Sequence, residues 1–238
     1  MVIRNLIAFF ALSIFLTACQ KNNPEGIITT PLADFHEIEI NSNFDVYLVE
    51  DSVFFVEIHG HEKTIQKVTC TVESEVLTID NLQKQKFTHP KSNKVTLYIH
   101  AKQLTKVSAN ETCQLKTVNA IHTTSFTYTA KSKANFADLE VNCTDFAYWN
   151  NFPCGGKITL RGTTNLLKIW NTAIMSIDAK GLTSSYAYIE NSAKGLCELN
   201  VTNKLEYKLL GDGNIDVYGA PSEINELAKT GKGTLILH

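Results

Sequence analysis

The chain of 238 residues carries 22 basic and 24 acidic side chains, a net charge of -2 that excludes the basic footprint of a nucleic-acid binder. With 44% hydrophobic and 19% charged residues it has ample apolar material for a core and too little charge for a disordered chain. Only Arg4 and Arg161 are arginines, so the bidentate guanidinium grip favoured at carboxylate, phosphate and uronate sites is nearly missing.

Residues 1–18 read as a signal peptide. Arg4 supplies the positive start, and the apolar run from Leu6 to Leu16 is too short to span a bilayer. Leu16-Thr17-Ala18-Cys19 resembles a bacterial lipobox, which assigns Cys19 as the lipidated first residue of the mature chain. Dual or triple acylation anchors a protein stably. Gln20, rather than Asp, follows the cysteine, a pattern resembling lipoproteins sorted to the outer membrane, on its periplasmic face or at the cell surface. Residues 19–31, polar and punctuated by Pro24, Gly26 and Pro31, read as a flexible tether.

From residue 32 to 238 the pattern is that of one all-β domain. Alternating apolar residues predict strands over 35–40, 44–48, 53–58, 68–72, 76–79 and 95–99, separated by turn signals such as Asn41-Ser42-Asn43 and Glu73-Ser74-Glu75. Residues 32–100 are expected to form N-terminal rungs or a cap. Asn43-Phe44-Asp45-Val46-Tyr47 echoes Asn214-Ile215-Asp216-Val217-Tyr218, which places both ends of the chain in one architecture.

The second half repeats. Asn151, Asn171, Asn191, Gly211 and Gly231 are spaced 20 residues apart. Apolar pairs precede these positions, as at Phe126/Tyr128, Phe146/Tyr148, Leu167/Ile169 and Leu205/Tyr207. Glycine, and next to it asparagine, tolerates a left-handed backbone, so the five positions are expected to mark recurring corners. A corner every 20 residues with short strands between is one rung of a right-handed parallel β-helix, or β-solenoid. A β-sandwich with coincidentally regular turns is the competing architecture.

Beyond Cys19, the cysteines are Cys70, Cys113, Cys143, Cys154 and Cys197. Their odd number and lack of CxxC spacing favour small buried thiols, with a single disulfide left open. No nucleophile elbow, HExxH, P-loop or dinucleotide fingerprint occurs. His59-Gly60-His61 comes nearest to a metal motif and reads as a solvated pair, so neither metal nor cofactor is expected. Asp212 and Asp216 with Lys157 and Arg161 are the material for a polysaccharide lyase or hydrolase, the enzymatic alternative. Tyr148, Trp149 and Trp170 precede successive corners, and the tryptophans are 21 residues apart, so stacked rungs could align them for glycan stacking.

The opening Phe44-Asp45-Val46-Tyr47-Leu48, the corners Gly211-Asp212-Gly213 and Gly231-Lys232-Gly233, and the closing Ile215-Asp216-Val217-Tyr218-Gly219-Ala220-Pro221 resemble the head GIN domain family of auto-transporter adhesins, common in Bacteroidetes lipoproteins. The resemblance spans roughly Phe35 to Leu237 and implies a β-helix-like domain at the cell envelope. The middle rungs depart from it, with asparagine where glycine is the family's choice. The expected function is therefore a non-enzymatic, lipid-anchored scaffold that contacts a glycan or an envelope or host protein. A structural lipoprotein working inside the periplasm is a further alternative.

Overall fold

The structure, a computed structural model, describes residues 24–83, 94–150 and 153–238. The signal peptide, Cys19 and Asn151 lie outside the described residues. The elements run β1 (Glu25–Pro31), β2 (Glu37–Ile40), β3 (Phe44–Glu50), β4 (Phe55–His61), α1 (Glu62–Ile65), β5 (Val68–Glu73), β6 (Val76–Asn81), β7 (Val95–Ala101), β8 (Lys106–Ala109), β9 (Cys113–Thr117) and β10 (Ile121–Ala130). Then follow β11 (Ala134–Asn150), β12 (Gly155–Asn171), β13 (Ile174–Asn191), β14 (Cys197–Leu209), β15 (Ile215–Tyr218), β16 (Glu223–Lys229) and β17 (Leu235–Leu237). About 70% of the chain is strand, arranged as a β-solenoid of about six turns with rungs about 20 residues apart.

Each rung has three sides. One face stacks β3, β9, the first parts of β11 to β14, then β15 and β17. A short second face joins 121–123, 141–143, 162–164 and 182–184. The third stacks β2, β8, the ends of β10 to β14, and β16. All these pairings are parallel, so equivalent residues of successive rungs form columns. Inward columns fill the centre, among them Val46–Leu115–Ala137–Ile158–Ile177–Cys197–Ile215 and Phe126–Phe146–Leu167–Ala187–Leu205, all essentially buried. The Phe126 and Phe146 rings stack at 6.0 Å and Tyr128 and Tyr148 at 5.8 Å. Offset aromatic stacking adds to the burial of apolar area.

The N-terminal region supplies both rungs and cap. β2 lies between β6 and β8, and β3 between β7 and β9, so β2–β3 and β6–β7 are complete parallel layers. Residues facing each other from the first of these layers to β8–β9 are 69 apart in sequence, not 20. The intervening chain descends to close the end of the stack: β4 pairs antiparallel with β7, β5 with β6, and β1 with β4. Reversed strands interrupt the parallel repeat and cover an otherwise open core.

The tether expected up to residue 31 is thus too long. Glu25–Pro31 forms β1, in register from Glu25 opposite His61 to Pro31 opposite Phe55. Ile27, Ile28, Thr29 and Thr30 are β-branched, a strand preference that the flanking Gly26 and Pro31 obscure.

The corners also work differently from expectation. Asn171 and Asn191 end strands with helix- or strand-like φ, and their fully buried side chains point inward. Asn171 Nδ2 donates to Met175 O at 3.0 Å and to Asn191 Oδ1 at 3.2 Å, and Asn191 Nδ2 donates to Gly213 O at 3.0 Å. Asparagine is needed here because its amide satisfies carbonyls that the bend removes from the sheet. The left-handed residue at the Asn171 corner is Ala173, with φ 63°. One rung earlier, Asn150 takes the same part, bonding Thr172 N at 2.9 Å, so the step there is 21 residues and begins one position before Asn151. Gly211 and Gly231 are not left-handed either; they are required by space. A Cβ on Gly211 would lie 2.3 Å from Ala193 O, and one on Gly231 1.9 Å from Gly211 O.

Two substitutions test these corners. Asn191→Ala should cost about 2 kcal/mol, since it strands a buried carbonyl, and lower Tm by roughly 4–8 °C. Gly213→Ala, whose Cβ would meet Gly195 O at 2.1 Å, should lower it further. Thermal and urea denaturation of the purified domain measure both, and an unchanged Tm for either would refute the corresponding role.

Candidate functional site

Period-two alternation settles which aromatic side chains can be touched from outside. Phe146, Tyr148 and Asn150 point inward, while Ala147 and Trp149 point out. Tyr148, expected as a stacking residue, is fully buried, and its hydroxyl has no hydrogen-bond partner among the described residues. It is a core residue with no part in an exposed platform. Trp149 and Trp170 sit directly opposite each other on β11 and β12, on the outer side of the third face. Trp149 is 36% exposed, and Trp170 is half-buried with its ring 5.9 Å from Tyr188. In the next rung Ala187 and Ile189 turn inward, and Tyr186 and Tyr188 face out.

Beside the outer tyrosines lysines and glutamates are paired. Lys208 bonds Glu190 at 3.1 Å and lies over the Tyr188 ring at 5.9 Å. Lys204 bridges Glu206 at 2.9 Å and Glu223 at 3.1 Å and lies 5.6 Å from the Tyr186 ring centre. The Tyr186 hydroxyl donates to Glu206 at 2.5 Å. Hydrogen bonds from Tyr186 first, then Lys204, hold the Glu206 carboxyl below its ordinary range, and Lys204 and Asn225 do the same for Glu223. Lysines thus cover the outer tyrosines of the third face, and beside them the two tryptophans remain open to a partner.

The groups considered for enzyme chemistry are engaged elsewhere, on the first face. Arg161 pairs with Asp138, and Lys157 with Asp178 at 2.8 Å. Asp216 bonds His238 at 3.1 Å, and Asp212 sits at the bend before β15. His59 bonds Glu57 at 3.1 Å and packs against Tyr98, while His100 bonds Asp51 at 3.0 Å. Among the described residues no three His, Cys, Asp or Glu side chains gather as a metal would require. All five described cysteines are free, and burial pushes the Cys70 thiol up to about 11 and Cys113 to about 12. These thiols are neutral, inert core or near-core groups.

One feature escaped the sequence pattern. At the cap, the end of β1 and the chain entering β4 border an open, shallow apolar groove of about 750 Å³, lined by Pro31, Leu32, Val53, Phe54 and Phe55 among others. Its walls come from a segment read as tether and from a turn, so no periodicity announced it. The adjacent pair Phe54-Phe55, with one ring too many for strand alternation, was the available signal.

The sequence model of the family described as "Putative auto-transporter adhesin, head GIN domain" matches residues 34–221. No protein of curated function matches the chain. Among solved structures, one named a putative adhesin from Bacteroides fragilis superposes with a TM-score of 0.82 at 17% identity, covering 90% of this chain and 97% of that one. A "putative lipid binding protein" from Parabacteroides distasonis gives 0.67 at 13% identity, over 91% and 98%. A putative adhesin from Parabacteroides merdae gives 0.62 at 16%, over 91% and 97%. At these identities the likeness is one of fold.

The paired glutamates carry a pH signature. Their folded-state values are depressed, so the stabilisation they give is present above the ordinary glutamate range and lost as pH falls through the depressed values. Carbon-detected NMR titration should find Glu206 titrating below a free glutamate, and Tyr186→Phe should shift it upward. A Glu206 midpoint unmoved by that substitution would remove the hydroxyl from the network.

Proposed function

We propose a function from one premise: the chain belongs to the head GIN domain family. It is an adhesin-type β-solenoid that acts by contact and not by turnover. Cys19 anchors it to the outer membrane through lipid, and the folded domain displays its third face to a glycan or to an envelope or host protein. The observation that carries this reading is the placement of Trp149 and Trp170 side by side, facing outward, on a face where Lys204 and Lys208 are held by Glu206, Glu223 and Glu190. Aromatic side chains offer large apolar area at small entropic cost and dominate many contact surfaces. Lysine–glutamate pairs beside them give a polar rim with no excess of positive charge, which suits an uncharged partner better than a polyanion.

Glycan-array and cell-binding measurements on the chain from Gln20 onward test the surface. Trp170→Ala should weaken the contact about tenfold, and Trp149→Ala by a similar factor, with Tm little changed. Binding unaffected by the double substitution would move the contact elsewhere. Depolymerisation of a polysaccharide, lost on Arg161→Ala or Asp216→Asn, would overturn the non-enzymatic reading. Separately, Cys19→Ser should abolish incorporation of labelled palmitate and release the protein from the membrane fraction; retained label would disprove lipidation at Cys19.

A further inference from the structure

The groove in the N-terminal cap has the character of a ligand site. It is an open groove of about 750 Å³ that leaves one side of an occupant to the surroundings. Its walls are fixed: Leu32 N donates to Phe54 O at 3.0 Å, the Phe54 ring meets buried Phe35 edge-on at 5.4 Å, and Phe55 stacks on His100 at 3.9 Å. Val53 stands half exposed at the mouth. The rim bears one cation, Lys102, and one anion, Asp34, neither of them in an ion pair among the described residues.

Position narrows the choice of occupant. β1 is the outermost strand of the cap and begins six residues after Cys19, a chain length that reaches no more than roughly 20 Å. This step rests on the lipid anchor proposed above, which would hold the cap close to the bilayer surface. There the available apolar ligands are acyl chains. A head group with both a phosphate and an ammonium matches a rim with one charge of each sign.

We infer that the cap groove binds an acyl chain of a zwitterionic membrane phospholipid, with Lys102 facing the phosphate and Asp34 the ammonium. Phe54 and Phe55 form the fixed walls, and Val53 lines the entrance. Such a site would seat the cap on the membrane and orient the solenoid relative to it.

The test is calorimetric titration of the chain from Gln20 onward with lysophosphatidylethanolamine below its micelle concentration. The sheet and core are complete within residues 24–238, so this chain keeps the whole fold. Saturable one-to-one binding is expected. Val53→Asp, at an exposed turn, should weaken it at least tenfold, and Val53→Trp, which fills the groove, should do likewise without adding charge. Lys102→Glu should weaken it several-fold for the lysophospholipid but not for a monoacylglycerol of the same chain length. No saturable binding by the native chain, or binding unchanged in both Val53 variants, would overturn the site. Equal losses for the two lipids in Lys102→Glu would overturn the head-group assignment. Because the titration is made without the anchor, its failure is separate from a failure of Cys19 labelling, and Trp170→Ala should bind the lipid like the native chain.

Discussion

The whole molecule depends on parallel strands stacking in register at about 4.8 Å. Once that ladder forms, each residue's nearest neighbour along the axis is fixed at about 20 positions away, and each side chain must suit the one above and the one below. Every column is then a separate packing problem. Inward columns are solved with Val, Ile, Leu and Phe, outward ones with polar, charged and a few aromatic side chains, and corners with buried amides or with no side chain at all. The Lys157–Asp178 and Lys208–Glu190 pairs are such axial neighbours or near-neighbours, drawn together by the stack and not by chain proximity.

Corners show how one constraint accepts two chemistries. Where Asn171 and Asn191 stand, the rungs turn around a buried amide that replaces lost sheet hydrogen bonds. Toward the C-terminus, at Gly211 and Gly231, successive backbones come so close that a Cβ would strike the carbonyl of the previous rung. The departure of the middle rungs from the family's glycine pattern is therefore a change in how the bend is satisfied, and the fold is preserved through it.

The repeat was legible because stacking imposes itself on spacing: Asn171, Asn191, Gly211 and Gly231 reveal the rung length without any structure. What spacing cannot carry is parity and insertion. Tyr148 and Trp149 are adjacent, and both look like platform residues; one step along a strand sends the first into the core and the second to the surface. The buried corner amide likewise belongs to Asn150, one position before the residue that the spacing selects. β1 hid in a short polar segment because its partner, β4, lies some thirty residues on, where local pattern has no reach. The groove, made by loops that meet only in three dimensions, left no periodic trace.

The insertion that separates β2–β3 from β8–β9 has a mechanical consequence. An ordinary solenoid begins at its end, so a pull on its N-terminus strips the outer rung first. Here the chain enters through β1, crosses the cap, and lays its first layer between two layers formed later, β6–β7 and β8–β9. A load arriving from the N-terminal side can peel β1 from β4, but it then meets strands clamped on both edges. Tension applied along the chain is thereby delivered to the interior of the stack, where many backbone bonds must yield together.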